Sequence, residues 1–319
     1  MVILITGGAG FIGSNLIHYW LQEHSEDVVV NFDALTYAGN LANLEQVENH
    51  PQYRFFHGDL RNTDQIDEVF SLFNVEAVIH LAARAGVRQS VLNPLDYIKA
   101  NVEGTLNVLE NCKENGVGKF ILASTSSVYG AGKEQPYSEE SESNRTLSPY
   151  AASKKAAETL TYTYHHLYGF HTQVLRFFTV YGPAGRPDMA IFRFIKAIVE
   201  GEEVILLGDG GERDFTFVDD AANGVIKALG VEGYNVINLG SDRPIRITHV
   251  LELIEDMTGK RAKIKVAGRD PSDVPSTWAD ITKAKHVLGW KPETTIESGI
   301  GSTLKWYIAN RNWARNIML

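Results

Sequence analysis

A glycine-rich stretch near the N-terminus constrains this chain more than any other feature. The apolar run of residues 2–5 leads directly into Thr6-Gly7-Gly8-Ala9-Gly10-Phe11-Ile12-Gly13, and a segment of helical periodicity follows. A strand, glycine turn and helix in this order let a pyrophosphate approach the helix N-terminus, because Gly7 and Gly10 carry no Cβ. Gly13 allows the helix and strand to pack closely. The motif predicts a dinucleotide site that contains Gly7, Gly10, Phe11, Ile12 and Gly13.

The second β-rich run ends at a carboxylate that selects between dinucleotides. Asp33 follows residues 28–32 and stands 20 residues after Gly13. A carboxylate at this position accepts hydrogen bonds from both ribose hydroxyls and repels a 2′-phosphate. The sequence therefore predicts NAD as the cofactor.

Short β-rich runs alternate with helical segments over the first half of the chain. The runs are residues 2–5, 28–32, 53–57, 77–81, 120–123 and 174–178. This alternation is typical of an α/β protein with a doubly wound parallel (Rossmann) sheet and helices on both faces. The helix with the clearest end signals begins at Ser148-Pro149 and ends at Tyr168, before Gly169. Its capping serine, its first-turn proline and the glycine after its end all stand where such residues are favoured.

Beyond residue 178 the pattern changes to shorter elements separated by loops rich in glycine and proline. We expect an NAD-binding domain over residues 1–178 and a smaller C-terminal substrate-binding lobe over residues 179–319, which binds a nucleotide sugar. Residues 219–239 have the pattern of one helix and one strand that return to the Rossmann sheet.

Composition excludes several classes of partner. The 319 residues carry a net charge of -9, which gives no basic footprint for a nucleic acid. Residues 2–5 are too short for a signal peptide and no apolar stretch approaches ~20 residues, so a soluble cytoplasmic protein without membrane contact is expected. Cys112 is the single cysteine, and His80, His165 and His166 have no partner at ligand spacing, so neither a disulfide nor a metal site is expected.

Several residues stand where strands of the predicted sheet end, which is the edge where open α/β sheets bind ligands. Asp59 and Leu60 follow the third run, and Leu81 and Ala83 end or follow the fourth. All four are predicted to line the cofactor site. For Asp59, contact with the adenine and capping of the next helix both remain open.

Tyr150 and Lys154 lie one helical turn apart near the start of the capped helix. The lysine ammonium and the positive nicotinamide should lower the tyrosine pKa, so that Tyr150 takes a proton from a sugar hydroxyl. Thr125 belongs to a row of hydroxyl residues after the fifth strand, at the same sheet edge. Thr125, Tyr150 and Lys154 are therefore the candidate catalytic residues.

With these motifs in order, the chain resembles the extended short-chain dehydrogenases/reductases that act on nucleotide sugars. Four segments are similar to the UDP-glucuronate 4-epimerase family: residues 80–88, 148–156, 164–169 and 178–190. The resemblance implies that Thr125 holds the sugar 4-hydroxyl, that Tyr150 is the base and that Lys154 binds the nicotinamide ribose. It places Ser126, Ser127, Thr179 and Arg186 around the sugar carboxylate. A UDP-sugar substrate and a homodimer are further implications.

Two features of the sequence bear on which relative of this family the chain resembles in activity, and they point in different directions. Residues 35–41 resemble dTDP-glucose 4,6-dehydratases, which carry an Asp-Glu pair after the equivalent of Thr125; here both positions are serines, Ser126 and Ser127. The absence of a carboxylate beside C5 favours epimerisation at C4. A UDP-glucose/galactose 4-epimerase, a nucleotide-sugar 4,6-dehydratase, a UDP-glucuronate decarboxylase and a non-catalytic NAD-binding scaffold or sensor remain as alternatives.

Three arginines are candidates for the rest of the substrate. Arg213 and Arg269 lie in the second lobe, where guanidinium groups suit a diphosphate. Arg88 ends the segment 80–88 and either contacts substrate or stabilises a loop.

Overall fold

A computed structural model describes residues 1–132, 134–268 and 274–317. The strands are β1 Val2–Thr6, β2 Val28–Asp33, β3 Tyr53–His57, β4 Ala77–His80, β5 Lys119–Thr125, β6 His171–Phe177, β7 Thr179–Tyr181, β8 Glu203–Leu207, β9 Glu212–Phe217, β10 Tyr234–Leu239, β11 Pro244–Arg246 and β12 Lys263–Ala267. The helices are α1 Phe11–Glu23, α2 Thr63–Leu72, α3 Val87–Leu92, α4 Pro94–Ile98, α5 Gly104–Glu114, α6 Pro149–Tyr168, α7 Ala190–Glu200, α8 Val218–Leu229, α9 Ile247–Thr258, α10 Thr282–Leu288, α11 Ile296–Ala309 and α12 Arg311–Ala314. The six predicted β-rich runs coincide with β1 to β6, with shifts of at most three residues at their ends.

The large sheet has the strand order β3-β2-β1-β4-β5-β6-β10 among the described residues. Each of its pairings is parallel, so all carboxyl ends meet at one edge. The chain runs outward from β1 in one direction through β2 and β3, and then starts again on the other side of β1 with β4. This reversal opens a crevice beside β1, which is where doubly wound sheets bind their ligands. The predicted α/β fold class is confirmed.

Both faces of the large sheet are covered, because successive side chains of a strand point to opposite faces. On β1, Ile3 and Ile5 join the core formed with α1 and α8, whereas Leu4 joins the core formed with α2, α5 and α6. A strand buried on both faces requires an uninterrupted apolar run, as residues 2–5 provide.

Helix α6 has the ends that its sequence predicts. The Ser148 Oγ accepts a hydrogen bond from the Ala151 amide at 3.2 Å, and Pro149 occupies the first helical position. Gly169 ends the helix with φ 72°, a conformation that glycine adopts readily, and its amide donates to the His165 carbonyl. These caps fix the start of α6 and therefore the position of Tyr150 in its first turn.

The rest of the described chain builds smaller sheets and returns once to the large one. β7, β9 and β11 form one sheet and β8 pairs with β12, packed with α7, α9 and α11 around a third core. β10 pairs in parallel with β6 at the end of the large sheet, and α8 packs against α1. No described helix is both long and apolar enough to cross a bilayer.

Candidate active site

The carboxyl ends of β1, β2, β4 and β5 border a cavity of about 730 Å³. Its lining includes Gly7, Gly10, Phe11, Ile12, Gly13, Asp33, Asp59, Leu60, Leu81, Ala83, Arg88, Thr125, Ser126, Ser127, Tyr150, Lys154, Thr179 and Arg186. The fold thus gathers nearly all of the predicted site residues around one space of the size that ligand sites have.

The glycine turn leaves room for a phosphate group at the start of α1. Gly7 has φ +75°, and a Cβ there would lie 2.7 Å from the backbone of Ala82. A Cβ on Gly13 would lie 2.3 Å from the Gly7 carbonyl oxygen, so both positions require glycine. Gly10 caps α1 without a side chain, and the amides of the first turn have no partner inside the helix. This uncapped N-terminus, open to the cavity, fits the pyrophosphate of NAD.

Asp33 ends β2 with its carboxylate fixed by two backbone amides. Oδ2 accepts from the Ala9 amide at 2.9 Å and Oδ1 accepts from the Leu35 amide at 2.8 Å. Burial raises the pKa of Asp33, and both of these hydrogen bonds lower it. Because a carboxylate has about four acceptor positions, Asp33 can still accept from ribose hydroxyls. The residues present at this end of the cavity therefore fit NAD.

Asp59 forms an ion pair instead of a helix cap. Its carboxylate accepts from the Arg61 amide at 2.9 Å and from the Arg61 guanidinium at 2.5 to 3.0 Å. The hydrogen bond from the Arg61 side chain is the main reason that the Asp59 pKa is lowered. Asn62 is the N-cap residue of α2. The helix-capping alternative for Asp59 was wrong, whereas its contact with adenine stays a prediction.

Thr125 and Tyr150 meet at the end of β5. The Thr125 hydroxyl accepts from the Ser127 amide and donates to the Ser127 hydroxyl, both at 3.2 Å. Burial raises the pKa of Tyr150; the charge of Arg186 and then a hydrogen bond with Thr125 oppose this rise. Together, the protein's own groups raise the Tyr150 pKa, whereas the sequence predicted that the pKa is lowered. The reason is burial, which disfavours the charged phenolate. The sequence also named Lys154 as the stabilising charge, whereas Arg186 has this effect.

Lys154 lines the cavity and is buried next to a polar network. Its Nζ donates to the Ala123 carbonyl at 2.8 Å, and burial lowers its pKa to about 8 while Glu158 opposes the shift. One turn further along α6, the Glu158 carboxylate accepts from the Ser124 hydroxyl at 2.6 Å and from Arg176 at 2.7 and 2.9 Å. These bonds tie α6 to β5 and β6, so Thr125 and the Tyr150-Lys154 turn are held in a fixed relation.

A charged pair lines the cavity next to the loop that follows β4. A Cβ on Gly86 would lie 3.8 Å from both the Arg186 Nη2 and the Asp188 Oδ2. Arg186 donates to the Asp188 carboxylate from Nε at 3.0 Å and from Nη2 at 2.5 Å. Arg193, in the first turn of α7, has its pKa lowered by burial and then by the charge of Arg88. Asp188 and Arg193 both line the cavity and were missed from the sequence, although Asp188 lies within the segment 178–190.

One predicted substrate residue is described and does not line this cavity, and another lies outside the described residues. Arg213 donates to the carbonyls of Glu212 and Pro275, at 2.8 and 3.1 Å, and is not among the lining residues. Arg269 lies outside the described residues. Their predicted contact with a diphosphate stays a prediction.

His80 ends β4 as a buried, neutral side chain. Its two ring nitrogens are hydrogen-bonded to the hydroxyls of Thr6 at 2.9 Å and Thr105 at 3.0 Å. Burial lowers its pKa to about 3, assisted by the charge of Lys154. His80 thus links β1, β4 and α5 next to the crevice.

The parallel sheet, the uncapped glycine turn with Asp33, and the Thr125, Tyr150 and Lys154 cluster define an NAD-dependent short-chain dehydrogenase/reductase of the extended type. The family model described as GDP-mannose 4,6 dehydratase matches residues 4–303, and the chain belongs to this family.

Relatives within the family differ in their substrates. A UDP-glucuronate 4-epimerase of Thermodesulfobacterium geofontis is 46% identical over 98% of both chains. The crystal structure of a UDP-glucuronic acid 4-epimerase from Bacillus cereus, in complex with UDP-glucuronic acid and NAD, is 34% identical, covers 97% of this chain and 100% of its own, and has a TM-score of 0.90. A UDP-glucose 4-epimerase from Thermotoga maritima with UDP-glucose is 32% identical over 98% and 100% of the two chains, with a TM-score of 0.91.

Proposed function

We propose that this enzyme interconverts UDP-glucuronate and UDP-galacturonate by reversible oxidation at C4 of the sugar. The observation that carries the proposal is that the row Thr125-Ser126-Ser127, Tyr150 and Arg186 line the same cavity. The sequence similarity to UDP-glucuronate 4-epimerases supports it. NAD, held by Asp33 and Lys154, would supply reversible hydride transfer at C4.

The protein's own groups move the proton and hold the sugar. Tyr150 takes the proton of the 4-hydroxyl during oxidation and gives it back during reduction. Thr125, whose side chain acts on the pKa of Tyr150, would position the reacting oxygen. Lys154, hydrogen-bonded to the Ala123 carbonyl, would bind the nicotinamide ribose. Between the two half-reactions the 4-keto sugar must turn in the cavity, so its ring has to be held loosely.

The sugar carboxylate accounts for the charged end of the cavity. Arg186, together with Ser126, Ser127 and Thr179, is positioned to surround it, and a guanidinium suits a carboxylate. The 4-keto form of a glucuronate is a β-keto acid that can lose carbon dioxide. The hydroxyls and Arg186 would hold the carboxylate in an orientation that is poor for this loss.

The distribution of carboxylates argues against the dehydratase and decarboxylase alternatives. Among the described residues that line the cavity, the carboxylates are Asp33, Asp59 and Asp188. Asp33 and Asp59 belong to the cofactor end, and Asp188 is paired with Arg186. None of them belongs to the Thr125-Ser127 row, where elimination across C5 and C6 needs an acid.

A UDP-glucose/galactose 4-epimerase is the second candidate, favoured by the likeness to the Thermotoga maritima structure. Three arginines at the sugar end of the cavity, Arg88, Arg186 and Arg193, suit an acidic sugar better than a neutral one. A non-catalytic NAD-binding scaffold or sensor would not require Thr125, Tyr150 and Lys154 together.

The test is to incubate the purified protein with UDP-glucuronate and NAD and to follow the anomeric protons of the sugar by NMR. We expect a stable mixture with UDP-galacturonate, abolished in Tyr150→Phe and retained in Tyr162→Phe, whose ring lies outside the cavity lining. A pentose product would contradict the epimerase and indicate a decarboxylase. Turnover of UDP-glucose alone would support the second candidate. Activity unchanged in Tyr150→Phe would remove Tyr150 from the mechanism.

We also propose that residues 1–178 with 219–239 hold NAD and that the remainder, together with Tyr150 and the Thr125-Ser127 row, binds the UDP-sugar.

We further propose that the enzyme works in the cytoplasm as a homodimer. Exposed apolar side chains on neighbouring helices support the dimer, since such patches mark interaction sites. Leu92 and Leu95 are each 72% exposed on α3 and α4, and Ile98 is 45% exposed. Sedimentation equilibrium of the wild type and of Leu92→Glu with Leu95→Glu tests this: the double variant should be monomeric.

A further inference from the structure

Two loops on the cofactor side of the cavity are joined by one tyrosine. Residues 34–40 follow β2 and residues 82–86 follow β4, and both loops contribute to the cavity lining. The Tyr37 hydroxyl donates to the Ala85 carbonyl at 2.7 Å and accepts from the Ala85 amide at 3.3 Å. The Arg84 guanidinium lies over the Tyr37 ring, 5.8 Å from its centre. The tip of one loop is thus fastened to the backbone of the other.

The base of the 34–40 loop is already fixed to the cofactor site. The Leu35 amide donates to the Asp33 carboxylate at 2.8 Å, and the Asn40 amide donates to the Ala9 carbonyl at 2.9 Å. Both anchors belong to groups that are placed to contact NAD. The loop can therefore swing away from the cavity only at its tip, where Tyr37 is bonded.

The other loop is a rigid acceptor for this bond. The amide and carbonyl of Arg84 are both bonded to the Asn101 side chain, at 2.7 and 2.9 Å. The Tyr97 hydroxyl donates to the same Ala85 carbonyl at 2.8 Å. Since burial raises the pKa of Tyr37, its hydroxyl stays protonated and remains a donor across the neutral range.

We propose that Tyr37 is a clasp that holds the 34–40 loop closed against the 82–86 loop and slows the release of bound NAD. A 4-epimerase benefits from such a clasp, because the cofactor that removes the hydride must stay to return it. Release in mid-cycle would leave a 4-keto sugar and a reduced cofactor apart. The role of Tyr37 concerns NAD alone and does not depend on which sugar the enzyme accepts.

The test measures NAD release without sugar. Wild type, Tyr37→Phe and the control Tyr162→Phe are loaded with radiolabelled NAD, chased with excess unlabelled NAD and sampled by rapid gel filtration. Tyr162 is 53% exposed and Tyr37 is 50% exposed, so the same substitution is made at two residues of similar overall exposure. Melting temperatures confirm that each variant is folded, and Tyr37→Ala removes the ring as well.

We expect Tyr37→Phe to release NAD roughly two- to tenfold faster than wild type, the factor that corresponds to one neutral hydrogen bond. Tyr37→Ala should be at least as fast as Tyr37→Phe, and Tyr162→Phe should match wild type. Equal release from Tyr37→Phe and wild type would overturn the proposal. Equal acceleration in both phenylalanine variants would also overturn it. The measurement contains no sugar. A negative result would therefore count against the role of Tyr37 and would leave the proposed epimerase activity untouched.

Discussion

The two ends of the cavity are built on different principles. At the cofactor end, strand ends and backbone amides set the geometry: the uncapped start of α1 and the Asp33 carboxylate, held by the Ala9 and Leu35 amides. In the part of the cavity proposed for the sugar, the side chains are charged: Arg186 and Asp188 form a bidentate pair in a loop, and Arg88 and Arg193 reach the lining from α3 and α7. The first arrangement suits any enzyme that binds NAD, whereas we expect the second to decide which sugar fits.

Solved relatives with different sugars share the backbone of this chain. The structures with UDP-glucuronic acid and with UDP-glucose have TM-scores of 0.90 and 0.91 to this chain. Similarity of the backbone therefore supports NAD chemistry and says little about the sugar. Variants at each end of the cavity should separate the residues that serve NAD binding from those that determine the choice of sugar.

The largest effect is expected where the two ends meet, at Tyr150. Tyr150→Phe should lower turnover by about 10²- to 10⁴-fold, because the proton of the 4-hydroxyl loses its acceptor. NAD occupancy should not change, since the ring remains. Turnover by coupled product assay and NAD content after acid extraction check this. Turnover close to that of wild type would show that another group is the base.

The glycine turn should be intolerant of a single methyl group. Gly13→Ala would place Cβ 2.3 Å from the Gly7 carbonyl oxygen, so we expect a loss of about 1–3 kcal/mol in the free energy of unfolding and weakened NAD binding. Gly301→Ala is the control, because no described heavy atom outside its own helix and chain neighbours lies within 4 Å of its Cβ. That change should stabilise α11 by about 1 kcal/mol. Urea unfolding and NAD titration measure both, and equal effects of the two changes would contradict the steric account.

Arg186→Gln should weaken binding of the sugar and leave NAD binding unchanged. Losing a charge-assisted bond of about 1.5–3 kcal/mol should raise the KM for UDP-glucuronate roughly 10- to 100-fold and change the KM for UDP-glucose less. Because the Arg186 charge lowers the pKa of Tyr150, the pH-rate profile should also move to higher pH. Arg261→Gln, at a side chain 83% exposed, is the control. Equal changes in KM for UDP-glucuronate and UDP-glucose would mean that Arg186 does not recognise the sugar carboxylate.

The smallest effect concerns the buried support of the cofactor end. His80 is neutral in the folded protein, with a pKa lowered to about 3, whereas its unfolded value is 6.5. The unfolded chain therefore binds one more proton between these pH values, and stability should fall as pH drops from 6.5 toward 3, by about 2 kcal/mol at pH 5. His80→Gln should be less stable at pH 7 but should lose this slope. Parallel curves of unfolding free energy against pH for the two proteins would contradict the assignment.

Features governed by local sequence were predicted well. The apolar runs place β1 to β6, and Ser148-Pro149 and Gly169 give both ends of α6. These signals are short-range: burial on both sheet faces demands a continuous apolar run, and caps need particular residue types at adjacent positions.

Features that depend on distant contacts were not predicted. The short strands β7, β11 and β12 have no strong pattern of their own and exist because neighbouring strands pair with them. Asp188 and Arg193 enter the site through a loop and the first turn of α7, and no spacing in the sequence indicates this. The direction of the Tyr150 pKa shift depends on burial, which the sequence does not encode locally.

The central claim is that the same hydrogen leaves C4 and returns to it. The most direct test incubates the enzyme with UDP-glucuronate deuterated at C4 in ordinary water and analyses both epimers by NMR and mass spectrometry. We predict that UDP-galacturonate forms with the deuterium retained at C4 and with no hydrogen from the solvent in its place. Replacement of the deuterium by a solvent hydrogen would contradict transfer through NAD at C4.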